Sequence, residues 1–353
     1  MTHTADTAGA TGTADPAGEP LLQVRDLTKT FPVRSGGRTR RLRALNGISF
    51  DLRRGETLGL VGESGCGKST LARTLLMLER PDSGTVRFDG VDPFTLKGAG
   101  LLRWRRRVQM VFQDPFASLN ARMTAGDIVS EPWRTHKDLF RSAKERGARV
   151  RELLGLVGLR AGDENRYPQE FSGGQRQRIG IARALALDPD VIVCDEPVSA
   201  LDLSVQAQVL NLLNELQRQL GVSYVFISHD LSVVRHVADR VMVMYLGGIV
   251  EHGGTEAVFG HARHPYSAAL MSAAPSLDGS GRGRQIILDG ELPSPLSPPS
   301  GCRFRTRCWK ATDECAAAPP ELTPGPDGGG HAAACFHPMG EGAEPVTAGR
   351  GAR

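Results

Sequence analysis

The stretch GESGCGKST, Gly62 to Thr70, constrains the fold of this chain more than any other. An apolar run, TLGLV, leads into it, and KSTLARTLLMLE leads out with helical character. A buried strand that turns at once into a helix needs residues that tolerate positive φ, and Gly62, Gly65 and Gly67 supply them. Such a turn aims successive backbone N–H groups inward, and the helix N-terminus adds partial positive charge. The pattern G-x-x-x-x-G-K-[ST] therefore predicts a phosphate loop. Lys68 is placed to reach the β- and γ-phosphates of a nucleotide, and the Ser69 hydroxyl to reach Mg²⁺; kinases, GTPases, motor ATPases and transporter ATPases all remain open on the loop alone. Glu63, Ser64, Cys66 and Thr70 complete the loop, with Cys66 read as a small filler rather than a redox group.

A phosphate loop between strand and helix belongs to an α/β fold, and further strands are visible. VIVCDEP and YVFISHD are continuous apolar runs, as parallel strands buried on both faces require. The first of them ends in Asp195 and Glu196. An acidic pair there can serve the metal and a water, Asp195 as the Mg²⁺ partner and Glu196 as the general base. Nearer the start, LLQVRDLTKTFPV, ISFDL and RPDSGTVRFDG read as strands and turns, with RSGGRTRRLR (Arg34 to Arg43) as a solvated basic loop. RSAKERGARVRELLGLVGL puts Val150, Leu153, Leu154 and Val157 on one helical face.

Composition narrows the partners. A net charge of +4 on 353 residues is too mild to single out nucleic acid. The opening MTHTADTAGATGTADPAGEP has neither the basic start nor the apolar core of a signal peptide, and residues 1–20 read as a disordered leader. No stretch approaches the ~18–20 apolar residues of a membrane span. The expectation is a soluble, cytosolic chain with reduced thiols.

FSGGQRQRIGIARAL, Phe171 to Leu185, joins a Gly-containing turn to a helix, and with it the sequence resembles the ABC ATPases. Phe171 stands where that family more often has Leu. The resemblance implies an α/β nucleotide-binding domain over residues 21–260. Its mixed sheet core would carry an N-terminal antiparallel β subdomain and an inserted helical subdomain at about 115–175. It implies that Phe31 stacks on adenine, and that Gln113 in VFQDPFASLN senses Mg²⁺ and water and faces the transporter. Ser199 to Asp202 (SALD) would form a dimer-contact loop, and His229 in FISHD would contact the γ-phosphate. It also implies that Ser172, Gly173, Gly174 and Gln175 close over the ATP of a second subunit. With one copy of each motif, the chain would complete a site only as a dimer.

RHPYSAALMSAAPS and the Pro-rich GELPSPLSPPSGCRFRTRC resemble the C-terminal region of ATPases from oligopeptide and dipeptide importers. That resemblance implies an ATPase at the cytoplasmic face of the membrane, beneath two permease subunits. A paralogous ATPase would be its partner, with a homodimer as the alternative, and an extracytoplasmic binding protein would feed the complex. Nickel chelates or glutathione are alternative cargoes, and a soluble non-transport ATPase is a further alternative. The importer-type region would span residues 261–340, with 341–353 a disordered tail.

Cys302, Cys308, Cys315 and Cys335 fall within this region. Their spacing matches neither a zinc ribbon nor a ferredoxin run, so spacing leaves a four-iron cluster, Zn²⁺ and metal-free thiols all open. His331 and His337 keep mixed ligation open. Arg303, Arg305, Arg307 and Lys310 could offset the negative charge of a thiolate cluster. The importer resemblance favours [4Fe–4S] on the four cysteines, with Cys66 and Cys194 uninvolved.

Overall fold

The computed structural model describes residues 19–35, 37–114, 116–273, 285–326 and 330–340. Most of the expected leader and the whole of the expected 341–353 tail lie outside the described residues. Strands β1 (Leu22–Ser35), β2 (Arg38–Leu52) and β4 (Ser83–Phe88) form an antiparallel sheet in the order β2-β1-β4. Between them in sequence, β3 (Thr57–Val61) enters the larger sheet and feeds helix α1 (Lys68–Leu75).

The larger sheet takes β5 (Val108–Val111), β6 (Val191–Asp195), β7 (Ser223–Ile227), β8 (Arg240–Tyr245) and β9 (Gly248–Gly254). Two short strands of the tail, β10 (Thr323–Pro324) and β11 (Ala332–Ala333), extend it. The order is β10-β11-β9-β8-β3-β7-β6-β5. Pairing is parallel from β8 through β5 and antiparallel from β8 to the tail. β3 and β7 are buried along their whole length, which is why they read as unbroken apolar runs. The expected mixed α/β architecture is present, with its antiparallel subdomain.

One core lies between the small sheet, α1 and one face of the large sheet. The other face carries α2 (Ala125–Ser130), α3 (Ala143–Leu156), α4 (Gly173–Leu185) and α5 (Leu203–Leu220). Val150, Leu153 and Leu154 face that core as the periodicity requires, and Val157 joins them just beyond the helix. Among the described residues, no helix is long and apolar enough to cross a membrane.

One reading changes. Arg38 to Arg43 belong to β2, paired register by register with β1, and do not form a loop. β2 is the outer strand of its sheet, and a row of solvated arginines is compatible with an edge, where it also blocks pairing with other chains. The apolar run VMVMYLGGIV forms the hairpin of β8 and β9, turned at Leu246 and Gly247.

The tail is not a separate appendage. Cys302, Phe304 and Cys315 belong to the main core, and Phe304 is 1% exposed. Its strands are anchored by Glu251 on β9, which is fully buried. The Glu251 carboxylate accepts from the backbone N–H of Arg263 (2.7 Å) and of His264 (2.8 Å) and from His331 Nε2 (2.6 Å). Glu251→Ala leaves these donors buried and unpaired, so a loss of about 3–5 kcal/mol is expected. Denaturant unfolding measures it, and a change under 1 kcal/mol would remove Glu251 as the anchor.

Candidate nucleotide site

The strand–turn–helix at Gly62–Thr70 has the conformation its sequence requires. Gly62, Gly65 and Gly67 all adopt positive φ. At Gly67 a Cβ would collide with the Ala44 carbonyl oxygen of β2, and at Gly62 with the Met244 carbonyl oxygen of β8. The loop is therefore fixed by backbone packing from two strands. The turn between β8 and β9 closes it further: Gly247 donates to the Cys66 carbonyl (2.8 Å) and accepts from the Asn46 N–H (2.8 Å). Lys68 is buried, and its Nζ donates to the carbonyls of Gly62 (2.7 Å) and Glu63 (3.1 Å).

A cavity of about 910 Å³ opens over this loop. Its walls include Phe31, every loop residue from Gly62 to Thr70, Gln113, Glu196 and His229. Residues more than 80 positions apart thus meet at one place. Glu196 is the junction: its carboxylate accepts from Gln113 Nε2 (2.8 Å) and pairs with His229 Nδ1 (3.1 Å). Its backbone lies in the left-handed region, φ 47°, which costs a non-glycine residue on the order of 1 kcal/mol or more. Its N–H donates to the Ile227 carbonyl (2.9 Å), which holds the strand end in place.

Asp195 ends β6 beside the Ser69 hydroxyl. Burial, then the neighbouring Glu196, pushes its carboxyl up, while Ser69, Lys68 and Arg73 draw it back. A hydroxyl and a carboxylate are oxygen donors of the kind Mg²⁺ takes, and a divalent cation would relieve the two adjacent acids.

Ser172 to Gln175 are not in the cavity wall. Ser172 caps α4, with reciprocal hydrogen bonds to Gln175 (3.0 and 3.3 Å). A Cβ at Gly174 would collide with Val205 of α5, and one at Gly173 would press on Leu201. Asp202 caps α5, accepting from the Val205 N–H (3.0 Å). This turn and the SALD loop therefore form one surface, outside the cavity that holds the phosphate loop. Arg43, Ala44, Arg73, Glu79, Leu231 and Pro295 also line the cavity, and sequence reasoning missed them.

The tail cysteines are neighbours. Cys302 and Cys315 lie close enough to Cys308 to act on its ionisation, and Cys302 and Cys308 act likewise on Cys335. Burial pushes the Cys302 and Cys308 thiols up, and Cys335 up to about 11. Among the described residues, no group of three or more His, Cys, Asp or Glu is placed to hold a metal ion. The histidines are engaged elsewhere, His331 on Glu251 and His337 Nε2 on Thr312 (2.8 Å). Two of the four cations also turn away: Arg303 bonds the Leu246 carbonyl, and Arg307 pairs with Glu63. Only Arg305 and Lys310 act on the thiols as the sequence suggested.

A phosphate loop facing an acidic strand end, a glutamine and a histidine defines a nucleotide-hydrolysing site. Family models agree: the ABC transporter model matches residues 45–199. The model for the oligopeptide/dipeptide transporter C-terminal region matches residues 250–315. The chain is 53% identical over 320 residues to the dipeptide transport ATP-binding protein DppF of Haemophilus influenzae, covering 90% of this chain and 97% of that one. It is 52% identical over 310 residues to the oligopeptide transport ATP-binding protein AppF of Bacillus subtilis, covering 86% and 94%. Among solved structures, the ATP-binding cassette MJ0796, described as a dimer in a post-hydrolysis state with ADP and Pi, aligns with TM-score 0.59 at 30% identity. That alignment covers 66% of this chain and 98% of the other. The cbiO1 protein of Clostridium perfringens aligns at 0.60 and 28%, covering 69% and 92%. The chain belongs to the ATP-binding proteins of ABC transporters, in the branch that carries the oligopeptide/dipeptide C-terminal region.

Gly67→Ala tests the loop geometry. The added methyl must displace the Ala44 carbonyl, so Mg-ATP affinity is expected to fall at least about tenfold, read by calorimetric titration. Unchanged affinity would mean that the loop shape does not govern binding.

Proposed function

We propose that the chain is the ATP-hydrolysing subunit that energises import of dipeptides or oligopeptides. The observation that carries this is the Gln113–Glu196–His229 junction facing the phosphate loop, in a chain whose relatives are named as peptide transport ATP-binding proteins. Lys68 and the loop N–H groups hold the β- and γ-phosphates, and Phe31 stacks on the base. Ser69, Asp195 and Gln113 would hold Mg²⁺, which would supply positive charge to neutralise the phosphates. Glu196 takes the proton of a water attacking the γ-phosphorus, while Gln113 and His229 fix its two oxygens.

Dimerisation completes the site in this proposal. Ser172 to Gln175 and Asp202 present a surface away from their own cavity, which suits a trans contact with a second cassette. The description of the similar cassette MJ0796 as a dimer supports this. ATP then bridges two subunits and hydrolysis removes the bridge, which converts nucleotide state into opening and closing. The partner is a related ATPase or a second copy, beneath two permeases at the cytoplasmic face and fed by a binding protein. Residues 21–260 form the catalytic unit with its helical insert at about 115–175, and 261–340 the importer-specific region.

Glu196→Gln keeps shape but not proton acceptance. Turnover in the assembled complex should fall about 100-fold or more, with Mg-ATP still bound and a closed dimer trapped. Hydrolysis at the wild-type rate would exclude Glu196 as the base.

The four tail cysteines are proposed to hold one [4Fe–4S] cluster. Their shared neighbourhood supports this, with Zn²⁺ as the alternative. Such a group, when bound, would supply a structural cross-link between the segments bearing Cys302, Cys308, Cys315 and Cys335. Anaerobically purified protein should contain about four iron and four sulfide per chain. Iron-free protein with stoichiometric zinc, or with neither, would end this part of the proposal.

A further inference from the structure

Glu63 is the second residue of the phosphate loop and lines the ATP cavity, so its charge sits beside a site that takes a triphosphate. Its partner is 244 positions away in the cysteine tail. The Arg307 guanidinium takes both Glu63 oxygens, at 2.8 and 3.1 Å, with the Arg307 side chain only 8% exposed. The main chain of Glu63 is held from the same side: its N–H donates to the Tyr266 hydroxyl (2.9 Å). Tyr266 packs on Tyr245 and Phe304, with ring centroids 4.6 and 5.4 Å apart, and Phe304 lies between Cys302 and Cys308 in the chain. The Glu63 carbonyl in turn accepts from Lys68.

We propose that Arg307 is a positioning residue for ATP binding, which neutralises and orients Glu63 so that the phosphate loop accepts a triphosphate. The inference rests on the reading of Gly62–Thr70 as the ATP site. Two carboxylate oxygens left unpaired beside the phosphate loop repel phosphate oxygens through a partly buried, weakly screened surrounding. Docking of the tail and affinity for ATP are then linked, because only the docked tail brings Arg307 to Glu63. An arginine suits the position: its planar fork engages both oxygens at once, which a lysine cannot do.

The test measures Mg-ATP dissociation constants of the full-length chain. Arg307→Met should weaken binding roughly tenfold, and Arg307→Lys, which keeps the charge, by less. The double variant Arg307→Met with Glu63→Gln should recover most of the affinity lost in Arg307→Met, because the uncompensated charge is gone. A residue that merely props up the tail would show no such rescue. Wild-type affinity in Arg307→Met, or a double variant as weak as Arg307→Met, overturns the proposal. Lys68→Ala serves as the control on the site itself. If it too binds Mg-ATP normally, the ATP-site reading fails. If it loses binding while Arg307→Met does not, only the role of Arg307 is refuted.

Discussion

The phosphate loop is not held in shape by its own sequence alone. Gly67 lies against the Ala44 carbonyl and Gly62 against that of Met244, so β2 and β8 leave room for a hydrogen atom and no more. The β8–β9 turn ties Cys66 through Gly247, and Tyr266 and Arg307 hold Glu63. Each contact reduces the freedom of N–H groups that must all point at one anion, and a pre-formed loop spares ATP the ordering cost. The small antiparallel sheet, the end of the parallel sheet and the importer-specific tail therefore converge on one short turn.

The same sheet end sets the chemistry. Parallel strands bring β3, β6 and β7 to a common edge, and their C-terminal ends carry the phosphate loop, the Asp195–Glu196 pair and His229. Glu196 bridges Gln113 and His229 from a left-handed backbone position, so the carboxylate is aimed by strain and by two side chains. A carboxylate so held can respond to movement of either partner, and Gln113 follows directly on β5 at the outer edge of the sheet.

What could be read from sequence was local. The loop glycines, the apolar strands and the acidic strand end are each specified within a few residues, and the structure brings the loop and Glu196 to one cavity. Longer-range features were not readable. Arg307 and Glu63 carry no periodic signal, and four neighbouring cations invited a single role that the structure divides between Glu63, Leu246 and the thiols. Strands of two residues, β10 and β11, are too short for alternation to appear, and only pairing with β9 defines them. The charge-rich Arg38–Arg43 passed for a loop because an edge strand has so little apolar demand.

The central claim is that ATP hydrolysis on this chain moves a peptide. The direct measurement places the chain, the proposed partner ATPase and the proposed permease pair in liposomes, with the proposed binding protein and labelled dipeptide or oligopeptide on the opposite face. Accumulation of label should require ATP on the side of this chain and stop when ATP is replaced by a non-hydrolysable analogue. Hydrolysis that peptide neither stimulates nor follows into the vesicle, in a complex that moves a non-peptide solute instead, would contradict the account.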